Sequence, residues 1–289
     1  MPDPNVRCVL VQVHGIGDQP QNWTASFDAA LGQRLGVLTA AQQDRFRSVP
    51  VWWAKFSPPP GAGRAAGGVA GAGPSPAAGG DSELPSTPYD LVFDSYASQV
   101  ATGDAAGGVA GFGIPDFGQV VAHLKGGAVS AADQANDIAN YTLRNGVRAQ
   151  ILHELTKTLF DVSAEYPNAE IILGSHSQGT IVSYDVLRQV GSRLPQLKVW
   201  VTMGCPLGWY YNQGGWGRDL LSISATLTWL NWFDDQDKVG KALQGLVDWV
   251  APRPQDRDVD NTGQNLHPHD HWANPTVVQG YADLILARL

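Results

Sequence analysis

The sequence predicts an α/β protein built on a predominantly parallel, doubly wound sheet, and three observations carry that expectation. Short β-branched or aromatic runs recur at 9–13, 49–54, 170–174, 198–203 and 227–233. Segments with an apolar period near 3.6 lie between and after them, at 23–38, up to about Phe160, at 178–190 and at 277–289. Strands alternating with helices favour parallel pairing with right-handed crossovers, which places ligands beyond the carboxyl ends of the strands.

Each element has its own warrant. Val9–Val13 is a buried-strand run that stops at His14-Gly-Ile-Gly17, a tight glycine-bearing turn. Phe27, Ala30, Leu31 and Leu35 fall on one helical face. The strand at 49–54 contains Pro50, which cannot donate to a ladder, so it belongs near an edge. Ile138, Tyr141, Val147, Ile151, Leu152, Leu155 and Leu159 form an apolar stripe for one or two helices. Between these regions, 58–80 is Gly, Ala or Pro at all positions except Arg64, Val69 and Ser75. Such a stretch buries too little apolar area to offset ordering, so 57–125 is expected to be a flexible insert within a single domain spanning 1–289. The nonapeptide at 65–73 returns almost unchanged at 105–113. Two copies do not make a solenoid; they are either compositional drift or two hinges bounding a cap.

Composition excludes several functions. Hydrophobic residues are 43% of the 289 and charged residues 16%, enough for a sizeable core and too apolar for wholesale disorder. Net charge is −8, from 27 acidic against 19 basic side chains with no Lys/Arg cluster. Nucleic-acid binding and adsorption to anionic membranes both need such a cluster. Cys8 and Cys205 lack CxxC or zinc-finger spacing and read as buried thiols. No apolar run is long enough to span a bilayer, so no stable membrane insertion is expected. The first residues lack a signal-peptide pattern, which makes the cytoplasm the expected compartment unless a leader was trimmed.

Four places carry candidate chemistry. Gly174-Ser-His-Ser-Gln-Gly179 stands between a strand and a helix, the arrangement that presents a nucleophilic serine on a strained turn. The residues two away must be small, because strand and helix backbones pass closely there. Ser177 is the expected nucleophile; the alternative is a serine that caps the helix. A backbone N–H from the His14–Gly17 turn and that of Gln178 would make a two-donor oxyanion hole. The same turn as a phosphate cradle lacks GxGxxG or a P-loop lysine, and His14 reads as a structural residue rather than a base. Asp234, Asp235 and Asp237 crowd behind the 227–233 strand, where an acid would orient a histidine; they do not form a calcium-loop pattern. His267, His269 and His271 precede the last helix, so the base belongs among them. In an extended segment His267 and His271 point the same way, which leaves a metal-chelating pair as the other reading.

The order HG turn, small-x-Ser-x-Gly, Asp, His resembles that of the α/β-hydrolase superfamily, across nearly the whole chain outside the insert. More narrowly it resembles bacterial lipase/esterase-type serine hydrolases that lack the first two strands of the full fold. Val201-Thr-Met-Gly-Cys-Pro-Leu-Gly208 is similar to their TxGxPLG strand end, and Trp229–Val239 to their WxNxYDxxDPV segment. The resemblance puts the catalytic acid on Asp237, with Lys238 in place of the family's proline. Its histidine position falls on Pro268, between two histidines, and points to His269 first and His267 second. It also implies the N–H groups of Ile16 and Gln178 as oxyanion donors, with no cofactor and no metal.

The expected activity is hydrolysis of small or lipid-like carboxylic esters through an acyl-enzyme. Ester bonds of uncharged alcohols fit best, because no arginine or lysine near the motifs would anchor a carboxylate or phosphate. An amide or thioester hydrolase and a non-catalytic binding relative are the alternatives. The 57–125 insert would serve as a lid. Trp52, Trp53, Trp209, Trp216 and Trp272 would either line an acyl cleft or fill the core. Chain length of the acyl group and oligomeric state are not encoded legibly.

Overall fold

The computed structural model describes residues 2–15, 20–36, 38–56, 141, 145–212, 223–224, 226–237, 239–245 and 252–289. The 57–125 insert and both glycine-rich repeats lie outside them. So do Ile16, Lys238 and Trp216.

The described elements run β1 (Cys8–Val13), α1 (Ala25–Arg34), α2 (Ala40–Gln43), β2 (Phe46–Val51), α3 (Asn145–Glu165), β3 (Glu170–His176), α4 (Gln178–Val190), β4 (Leu197–Met203), α5 (Leu207–Asn212), β5 (Thr228–Phe233), β6 (Gln255–Asp258) and α6 (Pro275–Leu286). The six strands form one sheet in the order β2-β1-β3-β4-β5-β6. Every neighbouring pair is parallel. The chain begins at β1, steps outward to β2, then crosses back to β3 and continues the other way. In open parallel sheets such a reversal is where ligands bind, which here is the carboxyl ends of β1 and β3.

Both sheet faces are covered, which is why the central strands are apolar without alternation. Val9, Val11, Val13, Ile171 and Leu173 pack in one cluster with Leu155 and Leu159 of α3 and Val182 and Val186 of α4. Leu10, Ile172, Val199 and Val201 face the other way, against Phe27 and Leu31 of α1 and Val278, Tyr281 and Ile285 of α6. Gln12 is the polar exception in β1. Its side-chain amide donates to Asp28 (2.9 Å) and Ser48 (2.6 Å), tying β1 to α1 and β2.

Three elements depart from the sequence expectation for physical reasons. β2 starts at Phe46 and stops at Val51, because Trp53 leaves the ladder to stack on His14 at 4.5 Å between ring centres. It is an edge strand, as Pro50 requires. β6 is Gln-Asp-Arg-Asp, an edge strand with no apolar residue, so no hydrophobic pattern could announce it. At the other end, Asn274 accepts the Thr276 N–H (2.7 Å) and Pro275 takes the first helical position. That cap starts α6 two residues before its apolar stripe. No helix among the described residues is long and apolar enough to cross a membrane.

Candidate active site

Ser177 lies between the last residue of β3 and the first of α4, with φ 52° and ψ −129°. A non-glycine residue at such a φ costs roughly 1–3 kcal/mol and persists only where its surroundings hold it. Here they do. The Ser177 N–H donates to the Met203 carbonyl (2.9 Å), and the Ser177 carbonyl accepts both the N–H (2.9 Å) and the hydroxyl (2.7 Å) of Thr180. Its own hydroxyl makes no capping bond to the helix, so the helix-cap reading does not describe it. Close passage explains the small neighbours: a Cβ on Gly179 would strike the His14 carbonyl oxygen and come within 3.0 Å of that of Val13. Ser175, at the other small position, is buried; its hydroxyl bonds Ser183 (2.7 Å) and accepts from Trp200 Nε1 (3.0 Å).

The three aspartates separate by partner. Asp234 is buried and structural: its carboxylate accepts the N–H of Gln236 (2.7 Å) and the N–H of Thr262 (2.9 Å), with the Thr262 hydroxyl at 3.2 Å. Asp235 is exposed. Asp237 is 2% exposed and its Oδ2 lies 2.7 Å from His269 Nδ1, while Oδ1 accepts the Val239 N–H at 2.8 Å. Burial by itself would raise the Asp237 carboxyl, but the His269 hydrogen bond and charge and the Val239 N–H outweigh it and hold the group below its ordinary value.

His269 stands on a braced loop. Asn274 Nδ2 donates to the Val259 carbonyl and to Asn261 Oδ1, both at 2.7 Å, and Asn261 Nδ2 donates to the Pro268 carbonyl at 2.6 Å. His267 is exposed, and its Nδ1 accepts the His269 N–H at 3.2 Å, which tightens the turn. The Asp237 bond fixes the proton of His269 on Nδ1 and leaves a lone pair on Nε2. That Nε2 is buried and has no hydrogen-bond partner among the described residues, so no Ser177–His269 bond is made in this structure. Catalytic hydrogen bonds in resting sites are often long and tighten on substrate binding.

The end of β1 closes the site from the other side. A Cβ on Gly15 would sit 2.7 Å from that of Ser177, so the turn and the elbow touch. Gln178 is buried as the first residue of α4, where backbone N–H groups lack helical partners. His14 uses both ring nitrogens: Nδ1 donates to the Gly15 carbonyl (2.6 Å), and Nε2 accepts the N–H groups of Trp53 (3.2 Å) and Ala54 (3.3 Å). Burial lowers its pKa to about 4, and it has no lone pair free for base chemistry. Of the tryptophans, Trp53 is fully buried, and Trp272 packs edge-on against Phe27 at 4.9 Å; both belong to the core. Trp209 lies in α5.

One residue of this region, His176, was not singled out from the sequence. His176 precedes Ser177, and its Nε2–H donates to the His269 carbonyl (2.8 Å), with the two rings 4.7 Å apart. His271 is fully buried beside both. One ring nitrogen from each of His176, His269 and His271 lies within 4.8 Å of the others. Among the described residues, the group of three that could hold a metal is this trio, which shares His271 but not His267 with the pair considered from the sequence. The available signal for His176 was its place: the last strand residue before the elbow necessarily stands at the sheet's carboxyl edge.

Comparison with known proteins finds no matching family model and no matching curated protein.

Proposed function

We propose that the chain is a serine hydrolase of the α/β-hydrolase type that cleaves carboxylic esters. The observation that carries this reading is the pairing of a strained Ser177 at the β3–α4 junction with a hydrogen bond between the buried Asp237 and a half-buried His269 on the neighbouring loops. Their order along the chain and their position beyond the strand ends support it.

In this reading His269 Nε2 takes the Ser177 hydroxyl proton as Oγ attacks the acyl carbon. The N–H groups of Gln178 and Ile16 receive the developing oxyanion, each worth about 3–4 kcal/mol in the transition state. The His269 imidazolium, held by Asp237, then gives its proton to the departing alcohol. Water, losing a proton to His269, attacks the acyl-enzyme; the C–O bond to Ser177 breaks, and the hydroxyl recovers its proton. Small or lipid-like acyl esters of uncharged alcohols are the substrate class.

The test is intact mass after exposure to a fluorophosphonate. One adduct is expected on the wild type and none on Ser177→Ala, with circular dichroism unchanged. An adduct that persists on the variant, or a folded wild type that takes none with or without detergent, refutes the reading. Matched ester, thioester and anilide substrates then identify the acyl bond.

A further inference from the structure

We propose that His176, His269 and His271 form a zinc site whose occupation switches the hydrolase off by taking the lone pair of His269 Nε2. The site itself does not depend on the hydrolase reading; only the switching does.

Two of the three rings have already met the outer-shell requirement of a zinc ligand. A metal-bound histidine normally donates its other N–H to a carboxylate or a carbonyl, which fixes the tautomer and aims the lone pair. His269 does this through Nδ1 to Asp237, and His176 through Nε2–H to the His269 carbonyl. The third ring is the more telling one. His271 is fully buried, yet neither of its nitrogens has a hydrogen-bond partner among the described residues. The His269 carbonyl lies near enough to favour the charged form of His271, but no hydrogen bond of ordinary length and angle joins them. A buried imidazole with two unmet nitrogens is costly, and a protein keeps such a group when something it binds supplies the partner. With the unpartnered Nε2 of His269, that makes three buried, unsatisfied nitrogens in one three-histidine cluster.

The ligand set is all imidazole, which suits zinc better than calcium or magnesium. Tetrahedral coordination brings ligand nitrogens to about 3.3 Å of one another, so the three rings, one nitrogen of each now within 4.8 Å of the others, must turn and close by roughly 1.5 Å or more to bring His269 Nε2 onto the ion. No hydrogen bond on His271 resists that movement. Three protein ligands leave the fourth position for water or for Ser177. An occupied Nε2 cannot accept the serine proton, so the nucleophile is disarmed while Asp237 and the fold stay as they are.

The experiment uses the full, tag-free chain stripped of metal. Cobalt(II) is titrated first, as a visible reporter of tetrahedral sites, and zinc is then added to displace it. Wild type is expected to take up about one equivalent with tetrahedral d–d bands that zinc abolishes. His271→Phe keeps a planar ring, somewhat larger than imidazole, removes both unmet nitrogens and is expected to fold, yet to lose the bands. His176→Asn is the second variant, expected to lose them as well. His267→Ala, outside the cluster, keeps them. No bands on wild type, or bands that survive in folded His271→Phe and His176→Asn, overturn the site.

Fluorophosphonate labelling reads the switch. Saturating zinc is expected to bring wild-type labelling to background and EDTA to restore it, while His271→Phe labels equally with and without zinc. Labelling that continues or accelerates on zinc-loaded wild type overturns the switch. Should metal-free wild type take no label at all, it is the hydrolase reading that fails, and the cobalt titration still decides the site.

Discussion

At the scale of single residues, the question is which of three neighbouring aspartates serves the histidine. Asp237→Asn keeps the size and loses the charge that holds the Nδ1–H tautomer, and a serine triad without that carboxylate loses about 10⁴-fold in kcat. A loss of roughly 10³–10⁴-fold is therefore expected for ester hydrolysis, with little change in Tm. Asp235→Asn, on an exposed side chain, is expected to leave kcat unchanged. Equal rates in Asp237→Asn and wild type would remove Asp237 from the mechanism. The serine was legible because its constraints are local: a strand, two small residues and a helix lie within ten positions. The choice among the aspartates was not local. Asp234 is excluded by its bonds to Thr262, 28 residues on, and Asp237 is distinguished by a bond to His269, 32 residues on. Neither separation leaves a mark in a short motif. The role of His176 was hidden for the same reason, since its partner is the His269 carbonyl 93 positions later.

At the scale of elements, the elbow works only if α4 can lie against the end of β1. Gly179 is the contact point, because a Cβ there would strike the His14 carbonyl oxygen, a backbone atom that cannot turn aside. Gly179→Ala is expected to lift the start of α4, destabilise by about 1–3 kcal/mol and reduce fluorophosphonate labelling far more than Tm. Urea denaturation and labelling rate on the same samples check this, and unchanged labelling would show that the elbow tolerates the shift. The strands that were legible are those buried on both faces, β1, β3 and β4, whose β-branched runs have no competing helical period. α4 runs from Gln178 to Val190, the span its apolar pattern predicted. β6 was illegible because its Gln-Asp-Arg-Asp is held by the ladder to β5 and not by burial of apolar side chains. The start of α6 was missed because a cap, not a stripe, sets it.

At the scale of the whole molecule, buried histidines couple stability to pH. Burial lowers His14 and His271 to about 4 and His176 well below 6.5, with neighbouring histidines adding to the shift for the last two and Asp237 and Asp234 opposing it at His271. In the unfolded chain these rings titrate near 6.5. Between 6.5 and about 4 the unfolded state therefore binds protons that the folded state refuses, and unfolding free energy falls as pH falls. Each ring contributes a slope of up to about 1.4 kcal/mol per pH unit. The depressed Asp237 carboxyl acts in the same sense, but only below its ordinary value of 3.8. Denaturation midpoints are thus expected to hold steady from pH 8 to 7 and to drop steeply between pH 6 and 5. His271→Phe is expected to remove about one proton from that slope, since the ring it deletes is one of those that must stay neutral. A midpoint that is level down to pH 5 would mean that the three rings accept protons in place. That result would contradict both the burial of His14 beneath Trp53 and the unmet nitrogens of His271, since an imidazolium in either position would need a partner that the described residues do not supply.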